Sequence, residues 1–470
     1  MNYFIVLFLS IIGSLPVLAA EKNNNEDIKG AACLIRAEDK LVMINEIITG
    51  KISLPAGGLI DNESAQHSAE REAWEETGLI VSAQKELGRK NGTVYFDCVA
   101  DSNIVAFEFQ NSFDGFELPI WFAPHYGVEV SSAMLVNPYE IASQQYRYPQ
   151  RWQEVLNLFQ EASIQEITYV SHLIEAAPYY NQVELSWMVA LQQSLAQMSD
   201  VAMVIFQSMI LNGQLLTQPA LLLILLPIVF WQFGTGYGYK ILFAVTVTSL
   251  ISLVAQQGFE LPRPHDYLPV VELSQSYGYG FPNLATAIWF CVGILLLNTT
   301  NKLGFNRYFA VFIGLVSWMI FEQFYTGGAF LVDSIGGALL GSLCAWHLIR
   351  LEARDCFDIN ALLSSVGIWL VLIVGCVILT LLWPIPVFTA WLTTVISIAL
   401  VVFLFKGKGS VIDIKHLIFI VLALLLINEI FNYAKLLVTD SSVHSLVVEL
   451  LRYPVIIFVF VFAIQMKIIK

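Results

Sequence analysis

Residues Gly57 to Leu79 read GGLIDNESAQHSAEREAWEETGL, which predicts a strand, a loop and a helix in that order. On this helix Glu75 and Glu76 follow Glu72 by three and four residues, so the three side chains share one face. Carboxylates at this spacing repel one another unless a cation lies among them. Hard oxygen ligands suit Mg²⁺ or Mn²⁺. The stretch therefore predicts a site for a divalent metal.

The alternative interpretation is a solvated acidic helix, because carboxylates at helical spacing are common by themselves. Two further features favour the metal site. The preceding Pro55-Ala56-Gly57-Gly58 can turn tightly and bring backbone carbonyls near the same ion. Arg71 lies directly beside the acidic cluster.

The stretch resembles the Nudix box of the Nudix hydrolases at every fixed position. The order is Gly57, five residues, Glu63, seven residues, Arg71-Glu72-Ala73, one residue, Glu75-Glu76, one residue, Gly78-Leu79. The resemblance implies hydrolysis of a diphosphate linked to another group, with metal-activated water as the nucleophile. It also implies an α+β fold, a mixed-sheet sandwich, which we place at residues 29–162.

The resemblance assigns metal ligands by position. Glu75 and Glu76 would ligate Mg²⁺ or Mn²⁺, and Glu72 would ligate it or act as the base. A backbone carbonyl of Ala56 or Gly57 would complete the shell.

The remaining positions would hold these ligands in place. Arg71, expected at the catalytic centre with Glu72, would brace the loop against the helix. The positions expected to support the loop are Glu63, Gly58 and Gly78.

The composition divides the chain into two parts. Of its 470 residues, 57% are hydrophobic and 13% are charged, which is too apolar for a soluble protein of this size. Residues 21–200 hold 11 Lys and Arg against 26 Asp and Glu, a balance of −15, and the remainder carries about +1. The acidic part argues against nucleic acid as an electrostatic partner. We expect a soluble acidic domain followed by an all-α polytopic transmembrane bundle that contacts membrane lipids.

The N-terminus predicts a targeting segment. Residues 2–18 are apolar and lead to Val17-Leu18-Ala19-Ala20, which suits signal peptidase. We therefore expect a cleaved signal peptide over residues 1–20, with an uncleaved N-terminal anchor as the alternative. Short apolar runs between residues 29 and 162, such as AACLIRA and KLVMINE, predict strands, and Pro149 to Ala162 predicts an amphipathic helix.

The second half of the chain predicts membrane spans. Residues 163–218 are expected to form a helical connector, residues 219–350 a first group of spans and residues 363–466 additional transmembrane helices. Nine spans are predicted, with an uncertainty of one. Every second connection carries basic residues, which marks it as cytoplasmic. These residues are Lys240, Lys302, Arg307, Arg350, Arg354, Lys406, Lys408, Lys415, Lys467 and Lys470. The acidic domain then lies outside the cytoplasm, which for a bacterial inner membrane means the periplasm.

Gln256 to Gly337 resembles the membrane-bound type 2 phosphatidic acid phosphatase superfamily in spacing more than in identity. The family's Lys, six residues before Arg-Pro, is Gln256 here, and Arg263-Pro264 is present. The second motif, Pro-Ser-Gly-His in the family, reads Pro282-Asn283-Leu284-Ala285. The third motif reads Glu322-Gln323, then Ala329 and Asp333.

These replacements remove the chemistry that the second resemblance implies. The reaction needs a nucleophilic imidazole and cations that hold the phosphate oxygens, and Ala329 can supply neither. We expect a degenerate domain without phosphatase activity. Arg263 and Asp333 could bind a phosphate headgroup or pair with each other.

Two groups of side chains leave alternatives open. Cys33 and Cys98 lie in predicted strands and could form a disulfide if the domain is outside the cytoplasm, although sequence does not show that they are close. An aromatic-rich segment could stack on a base or pack in the core, and packing is the preferred interpretation. Its residues are Trp121, Phe122, His125 and Tyr126.

The leading hypothesis is a membrane-integral Nudix-type hydrolase. It would cleave a nucleoside diphosphate derivative or a lipid diphosphate outside the cytoplasm, at a site that uses Mg²⁺ or Mn²⁺. The alternative is a membrane protein that binds lipid phosphate, a pseudo-phosphatase with a Nudix-like sensor domain.

Overall fold

The computed structural model describes residues 28–353, 358–404, 413–439 and 441–465. The predicted signal peptide at 1–20 lies outside these ranges. So do five of the basic residues that mark the predicted cytoplasmic side, namely Arg354, Lys406, Lys408, Lys467 and Lys470.

The N-terminal part is a mixed α/β domain built from short strands. The strands are β1 Gly30–Leu34, β2 Arg36–Ala37, β3 Lys40–Glu46, β4 Ile52–Ser53, β5 Ala56–Gly58, β6 Val81–Lys90, β7 Thr93–Ala100, β8 Ile104–Phe107, β9 Phe116–Glu117, β10 Val130–Val136 and β11 Ile167–Val170. One sheet has the order β5-β1-β7-β6, and a second has the order β2-β3-β10-β9 with β4 paired to β3. Only the β1–β7 and β8–β11 pairs are parallel among these ladders. The expected mixed-sheet fold is confirmed.

Helix α1, Ala65–Thr77, begins and ends where its sequence provides caps. The Ser64 side chain accepts the backbone N–H of His67, which satisfies one of the free donors of the first turn. Gly78 ends the helix in the left-handed conformation and donates its N–H to the Trp74 carbonyl. Ala69 and Ala73 on the buried face pack into a core that includes residues of β1, β3, β7 and β10. The acidic residues are thereby fixed to one edge of the first sheet.

A second core lies on the opposite side of the sheets. It is covered by α2, Trp152–Glu161, which confirms the amphipathic helix predicted there. Trp152, Val155, Leu158 and Phe159 form its buried face. Their spacing of three to four residues is that of one helix stripe.

The predicted boundary at residue 162 is too early. Strand β11 pairs in parallel with β8, with Ile167 opposite Ile104, so residues 167–170 belong to the N-terminal domain rather than to a helical connector. The Ser163 hydroxyl also donates to Asp97 Oδ2 at 2.6 Å. Local pattern could not reveal this, because the partner strand lies about 60 residues earlier in the chain.

A helical connector follows, formed by α3 Tyr179–Ala196 and α4 Asp200–Leu211. Glu184 of α3 accepts the backbone N–H groups of Leu331 and Val332 at 2.6 and 3.3 Å. A carboxylate at a helix N-terminus is stabilised by the free N–H groups and by the helix dipole. The connector is therefore attached to the bundle by a charge-assisted contact.

The remaining helices form the bundle. They are α5 Ala220–Phe259, α6 Pro264–Tyr267, α7 Leu284–Thr299, α8 Arg307–Tyr325, α9 Leu331–Glu352, α10 Ile359–Leu363, α11 Val366–Leu382, α12 Pro386–Leu404, α13 Ile414–Leu437 and α14 Ser442–Gln465. Within the described ranges, six segments are long and apolar enough to cross a membrane, and α4, α7 and α11 belong to shorter apolar helices. Helices occur in both ranges predicted to hold spans, 219–350 and 363–466, over the residues that the structure describes. Gly234, with φ 82° and ψ 173°, divides α5 into two helical segments.

The prediction from sequence that Lys240 lies in a cytoplasmic connection is wrong. The helix resumes directly after Gly234, so Lys240 is inside α5 and fully buried. Its Nζ lies 2.5 Å from Glu352 Oε2 at the end of α9. A buried cation requires such a partner, because its desolvation is otherwise uncompensated.

The N-terminal domain packs on one end of the bundle. The buried Tyr126 hydroxyl donates to Asp266 Oδ1 at 2.7 Å. Gly127 and Gly278 both have positive φ, and a Cβ on Gly127 would lie 2.4 Å from the Gly278 Cα. Only glycine permits this approach of the two backbones.

A disulfide joins Cys33 of β1 to Cys98 of β7, with 5.6 Å between the Cα atoms. We expect Cys98→Ala to lower the free energy of unfolding by about 2–4 kcal/mol, because the bond closes a long loop in the unfolded chain. Thermal unfolding of the detergent-solubilised chain checks the loss, with Cys376→Ala in the bundle as the control. Because both cysteines are buried, alkylation is done on the denatured wild-type chain without reductant. It should leave Cys33 and Cys98 unmodified, and modification of both would contradict the bond.

Candidate active site

Arg71 is the centre of the acidic cluster. Its Nε donates to Glu63 Oε1 at 2.9 Å, and its Nη1 donates to both Glu72 Oε1 and Glu75 Oε2 at 2.7 Å. Nη2 donates to the Gly58 carbonyl at 3.0 Å. One guanidinium thus connects the loop after β5 to two successive turns of α1. Arginine suits this role because its donors are fixed in one plane.

The ion pair with Glu63 is the loop contact that the sequence predicted. Hydrogen bonds from Arg71 lower the pKa of Glu63 to about 2. Glu63 Oε2 also accepts the Ile60 N–H at 3.1 Å, which closes the loop on itself. The loop is therefore fastened to the helix by a carboxylate that stays ionised at neutral pH.

Glu72 lies against the backbone of Gly57. A Cβ on Gly57 would be 1.9 Å from Glu72 Oε1, so the absence of a side chain creates the space that the carboxylate occupies. Burial raises the pKa of Glu72 above its usual range, and the bonds to Arg71 oppose that rise. Such a carboxylate takes up a proton more readily than an exposed one.

Glu76 faces the interior one position beyond Glu75. Its Oε2 accepts the Ala56 N–H at 2.9 Å, and the side chain is buried. Burial, and then the nearby Glu72 carboxylate, raise the pKa of Glu76 well above its ordinary value. A nearby cation would offset both effects.

The structure adds His125, which sequence reasoning assigned to an aromatic packing segment. One donor atom each from Glu72, Glu75 and His125 lies within 4.8 Å of the others. The His125 backbone N–H donates to the Glu75 carbonyl at 2.8 Å, which fixes the segment to α1. The buried Nδ1 of His125 has no hydrogen-bond partner among the described residues. In the sequence, the only signal for a role of His125 at this site is that a histidine occurs in a segment of polar and aromatic residues.

This donor set fits a divalent cation. Glu72 and Glu75 each accept a hydrogen bond from Arg71 Nη1 through one carboxylate oxygen. The second oxygen of each carboxylate is therefore available to a cation. Carboxylate oxygens suit Mg²⁺ and Mn²⁺, and imidazole is compatible with the latter. The Gly57 carbonyl, in contrast, points towards Gly30, where a Cβ would lie 2.6 Å from the oxygen.

The residues of the second predicted site come together at one end of the bundle. Asn283 Nδ2 donates to Gln323 Oε1 at 2.6 Å, and Gln256 Nε2 donates to the Pro282 carbonyl at 2.9 Å. Ala329 is buried. This cluster contains amides where the second resemblance requires cations and a nucleophile.

The side chains of Arg263 and Asp333 form hydrogen bonds with backbone groups of this cluster. The Arg263 guanidinium donates to four carbonyls, those of Tyr277, Gly278, Tyr279 and Gly328. Asp333 Oδ2 accepts the Phe330 N–H at 3.0 Å, at the start of α9. Among the described residues the two side chains form no hydrogen bond with each other. Both side chains hold the neighbouring backbone in place, and the four carbonyls engage all three nitrogens of the Arg263 guanidinium.

Residues 27–154 match the family model of the NUDIX domain. The N-terminal domain of this chain is a NUDIX domain. Its helix α1 carries the acidic cluster described above, and its β1–β7 sheet carries the disulfide.

Curated relatives match a short segment. The proteins named phosphatase NudJ from Escherichia coli strain K12 and from Shigella flexneri are each 44% identical over 55 residues. The match covers 11% of this chain and 36% of each relative, so the chain spans about a third of the length of these relatives.

Two solved structures are similar to parts of the chain. An ADP-ribose pyrophosphatase from Streptococcus suis 89-1591 is 17% identical with a TM-score of 0.22, covering 30% of this chain and 95% of that chain. A transmembrane PAP2-type phosphatidylglycerolphosphate phosphatase from Bacillus subtilis is 16% identical with a TM-score of 0.23, covering 39% and 83%.

Gly57 and Gly58 provide a matched pair of variants. Gly57→Ala places a methyl group into the Glu72 carboxylate, whereas a Cβ on Gly58 meets nothing closer than the Lys29 carbonyl at 3.8 Å. We expect Gly57→Ala to lower the free energy of unfolding by about 1–3 kcal/mol, the usual range for overpacking. Thermal unfolding of the two variants measures the difference. Equal unfolding temperatures would contradict the position of Glu72.

Proposed function

We propose that the chain is a membrane-integral Nudix-type hydrolase that cleaves a diphosphate linkage with the help of Mg²⁺ or Mn²⁺. The observation that carries the proposal is the convergence of Glu72, Glu75 and His125 donor atoms within 4.8 Å, beside Arg71 and the buried Glu76. The substrate is a nucleoside diphosphate derivative or a lipid diphosphate. The NUDIX domain supports the hydrolase class, and the chemistry of the donor set supports the cofactor.

In this proposal Glu72, Glu75, Glu76 and His125 would hold the cation. A bound Mg²⁺ or Mn²⁺ would neutralise charge that develops on the phosphate oxygens. Arg71 keeps Glu72 and Glu75 at a fixed separation, so that little reorganisation accompanies the reaction.

As the alternative to its role as a ligand, Glu72 would act as the base that accepts a proton from the attacking water. Its side chain is buried against Gly57, beside the donor atoms of Glu75 and His125. Glu63 acts at a distance, by holding Arg71 through two hydrogen bonds.

The domain order of the proposal is a signal peptide or anchor at 1–20, the Nudix domain extended to β11, a helical connector up to residue 218, a degenerate phosphatase-like group of spans at 219–350 and further spans at 363–466. The second group of residues contains amides in place of reactive groups, so we assign hydrolysis to the NUDIX domain alone. The alternative of a phosphate-binding protein with a Nudix-like sensor differs only in predicting no turnover.

Removal of single carboxylates tests the site. We expect Glu75→Gln and Glu76→Gln to lower diphosphate hydrolysis about 100-fold or more, since even partners outside the ligand shell contribute about 10–100-fold. Phosphate release by purified protein with Mg²⁺ or Mn²⁺ is measured against a panel of nucleoside and lipid diphosphates.

Glu70→Gln is the matched control on the same helix. Glu70 accepts the Ala83 N–H at 2.9 Å, a bond that glutamine retains, and it does not belong to the acidic cluster. If all three variants kept wild-type activity, the assigned roles would be wrong. If the wild-type protein released no phosphate from any substrate, the sensor alternative would replace the enzyme.

We further propose that the chain lies in a bacterial inner membrane with the NUDIX domain in the periplasm. Three observations support this orientation. A disulfide is stable in an oxidising compartment. The NUDIX domain contacts the segment at residues 266–278, which belongs to a connection with few basic residues. The basic Lys302 lies in the connection between α7 and α8, and the basic Arg307 is the first residue of α8.

Cysteine labelling in spheroplasts tests the orientation. Lys85→Cys places a thiol on the exposed part of β6, and Phe305→Cys places one in the connection between α7 and α8. A membrane-impermeant maleimide should label Lys85→Cys in intact spheroplasts and Phe305→Cys only after permeabilisation. The reverse pattern would place the NUDIX domain in the cytoplasm. The wild-type chain reports the background from its own thiols.

A further inference from the structure

The bundle contains a partly open cavity of about 790 Å³. Helices α5, α7, α12, α13 and α14 supply most of its wall. Residues of the NUDIX domain complete it at one end, namely Ile47, Ile48, Gly127 and Val128. Cavities of about 300–1,000 Å³ are the usual size for sites that hold small ligands.

Most of the cavity wall is hydrocarbon. Leu253 of α5, Ile398 of α12 and Ile457 of α14 are representative of the lining. A wall of this kind provides no hydrogen-bond partners to water, so its natural occupant is an apolar chain. The surrounding helices include segments apolar enough to cross a membrane, where such chains are abundant.

The end of the cavity that faces the NUDIX domain is polar, and the charged residues that line the cavity include Lys435, Arg263 and Glu449. Arg263 is bonded to carbonyls, and Glu449 pairs with Arg452. Lys435 lines the cavity at the last turn of α13, seven residues before Ser442, whose hydroxyl accepts a hydrogen bond from Arg147 of the NUDIX domain. No carboxylate in the described part of the chain lies within ion-pair distance of the Lys435 ammonium. A half-buried cation without a partner favours an anionic ligand group.

This end is also close to the acidic cluster. Gly127 lines the cavity, and His125, two residues earlier, contributes to the group with Glu72 and Glu75. Two residues span at most about 7 Å between Cα atoms. An amphiphile with its chain in the cavity would therefore carry its polar head towards the Nudix site.

We propose that the cavity binds the hydrocarbon chain of a lipid diphosphate and that Lys435 pairs with a phosphate of its head group. The proposal rests on the proposed function, because it identifies the lipid class as the substrate of the same Nudix site. In this proposal the bundle binds the substrate, in addition to anchoring the NUDIX domain at the membrane.

Photolabelling of the full detergent-purified chain tests the proposal without requiring turnover. The probe is farnesyl diphosphate with a diazirine at the hydrocarbon end, and peptide mass spectrometry locates the label. We expect the label on α12 and α14, with competition by farnesyl diphosphate and much weaker competition by farnesol or by a membrane phospholipid. Equal competition by farnesol or phospholipid would overturn the head-group preference, and a label outside the cavity would overturn the site.

Paired variants separate specific binding from partitioning into detergent. Ala390→Phe fills part of the cavity, whereas Ile396→Phe lies on the exposed side of the same helix. We expect at least a tenfold loss of labelling in the first and none in the second. Lys435→Gln should weaken binding about fivefold to tenfold, whereas Lys415→Gln, at the exposed opposite end of α13, should not. Equal labelling within either pair would refute the assignment.

The two proposals fail in distinguishable ways. Hydrolysis of soluble nucleoside diphosphates without cavity labelling would remove the lipid proposal and leave the enzyme. Cavity labelling without hydrolysis of any diphosphate would remove the enzyme and leave the binding site.

Discussion

The contact of Arg71 with Glu63, Glu72 and Glu75 is the interaction on which the candidate site depends. One guanidinium joins the loop after β5 to the helix and holds two carboxylates that would otherwise repel each other. The loop must pass close to the helix for this network to form, and Gly57 permits the approach because a side chain there would overlap Glu72. The ion pairs of Arg71 and the space left by Gly57 therefore stabilise the same arrangement of loop and helix. A lysine in place of Arg71 could not contact three carboxylates in one plane.

The same helix connects the site to the bundle. His125 is bonded to α1 through the Glu75 carbonyl, Tyr126 is bonded to Asp266, and Gly127 lies against Gly278. Three successive residues thus contact the acidic cluster, the first polar segment of the bundle and the cavity. The short path gives a physical reason for joining a NUDIX domain to a membrane bundle in one chain. A substrate anchored in lipid would reach the site without leaving the membrane.

Amide side chains meet at one end of the bundle. Asn283 donates to Gln323, and Gln256 donates to the Pro282 carbonyl, so these amides are used in mutual and backbone hydrogen bonds. Arg263, which could have bound phosphate, is consumed by four carbonyls. Buried polar groups that satisfy one another stabilise a unique packing. A cavity lies at this end of the bundle, and Lys435 is a cation on its wall without an ion-pair partner in the described part of the chain.

The sequence by itself determined the features that depend on local spacing. The acidic face of α1 follows from a period of three to four residues, and the apolar helices follow from the length of their apolar runs. Tertiary structure alone decided which distant segments meet. It brought His125 to Glu75, Cys33 to Cys98, β11 to β8 and Lys240 to Glu352. Such contacts depend on the packing of whole elements, and no pattern within a short stretch of chain encodes their partners.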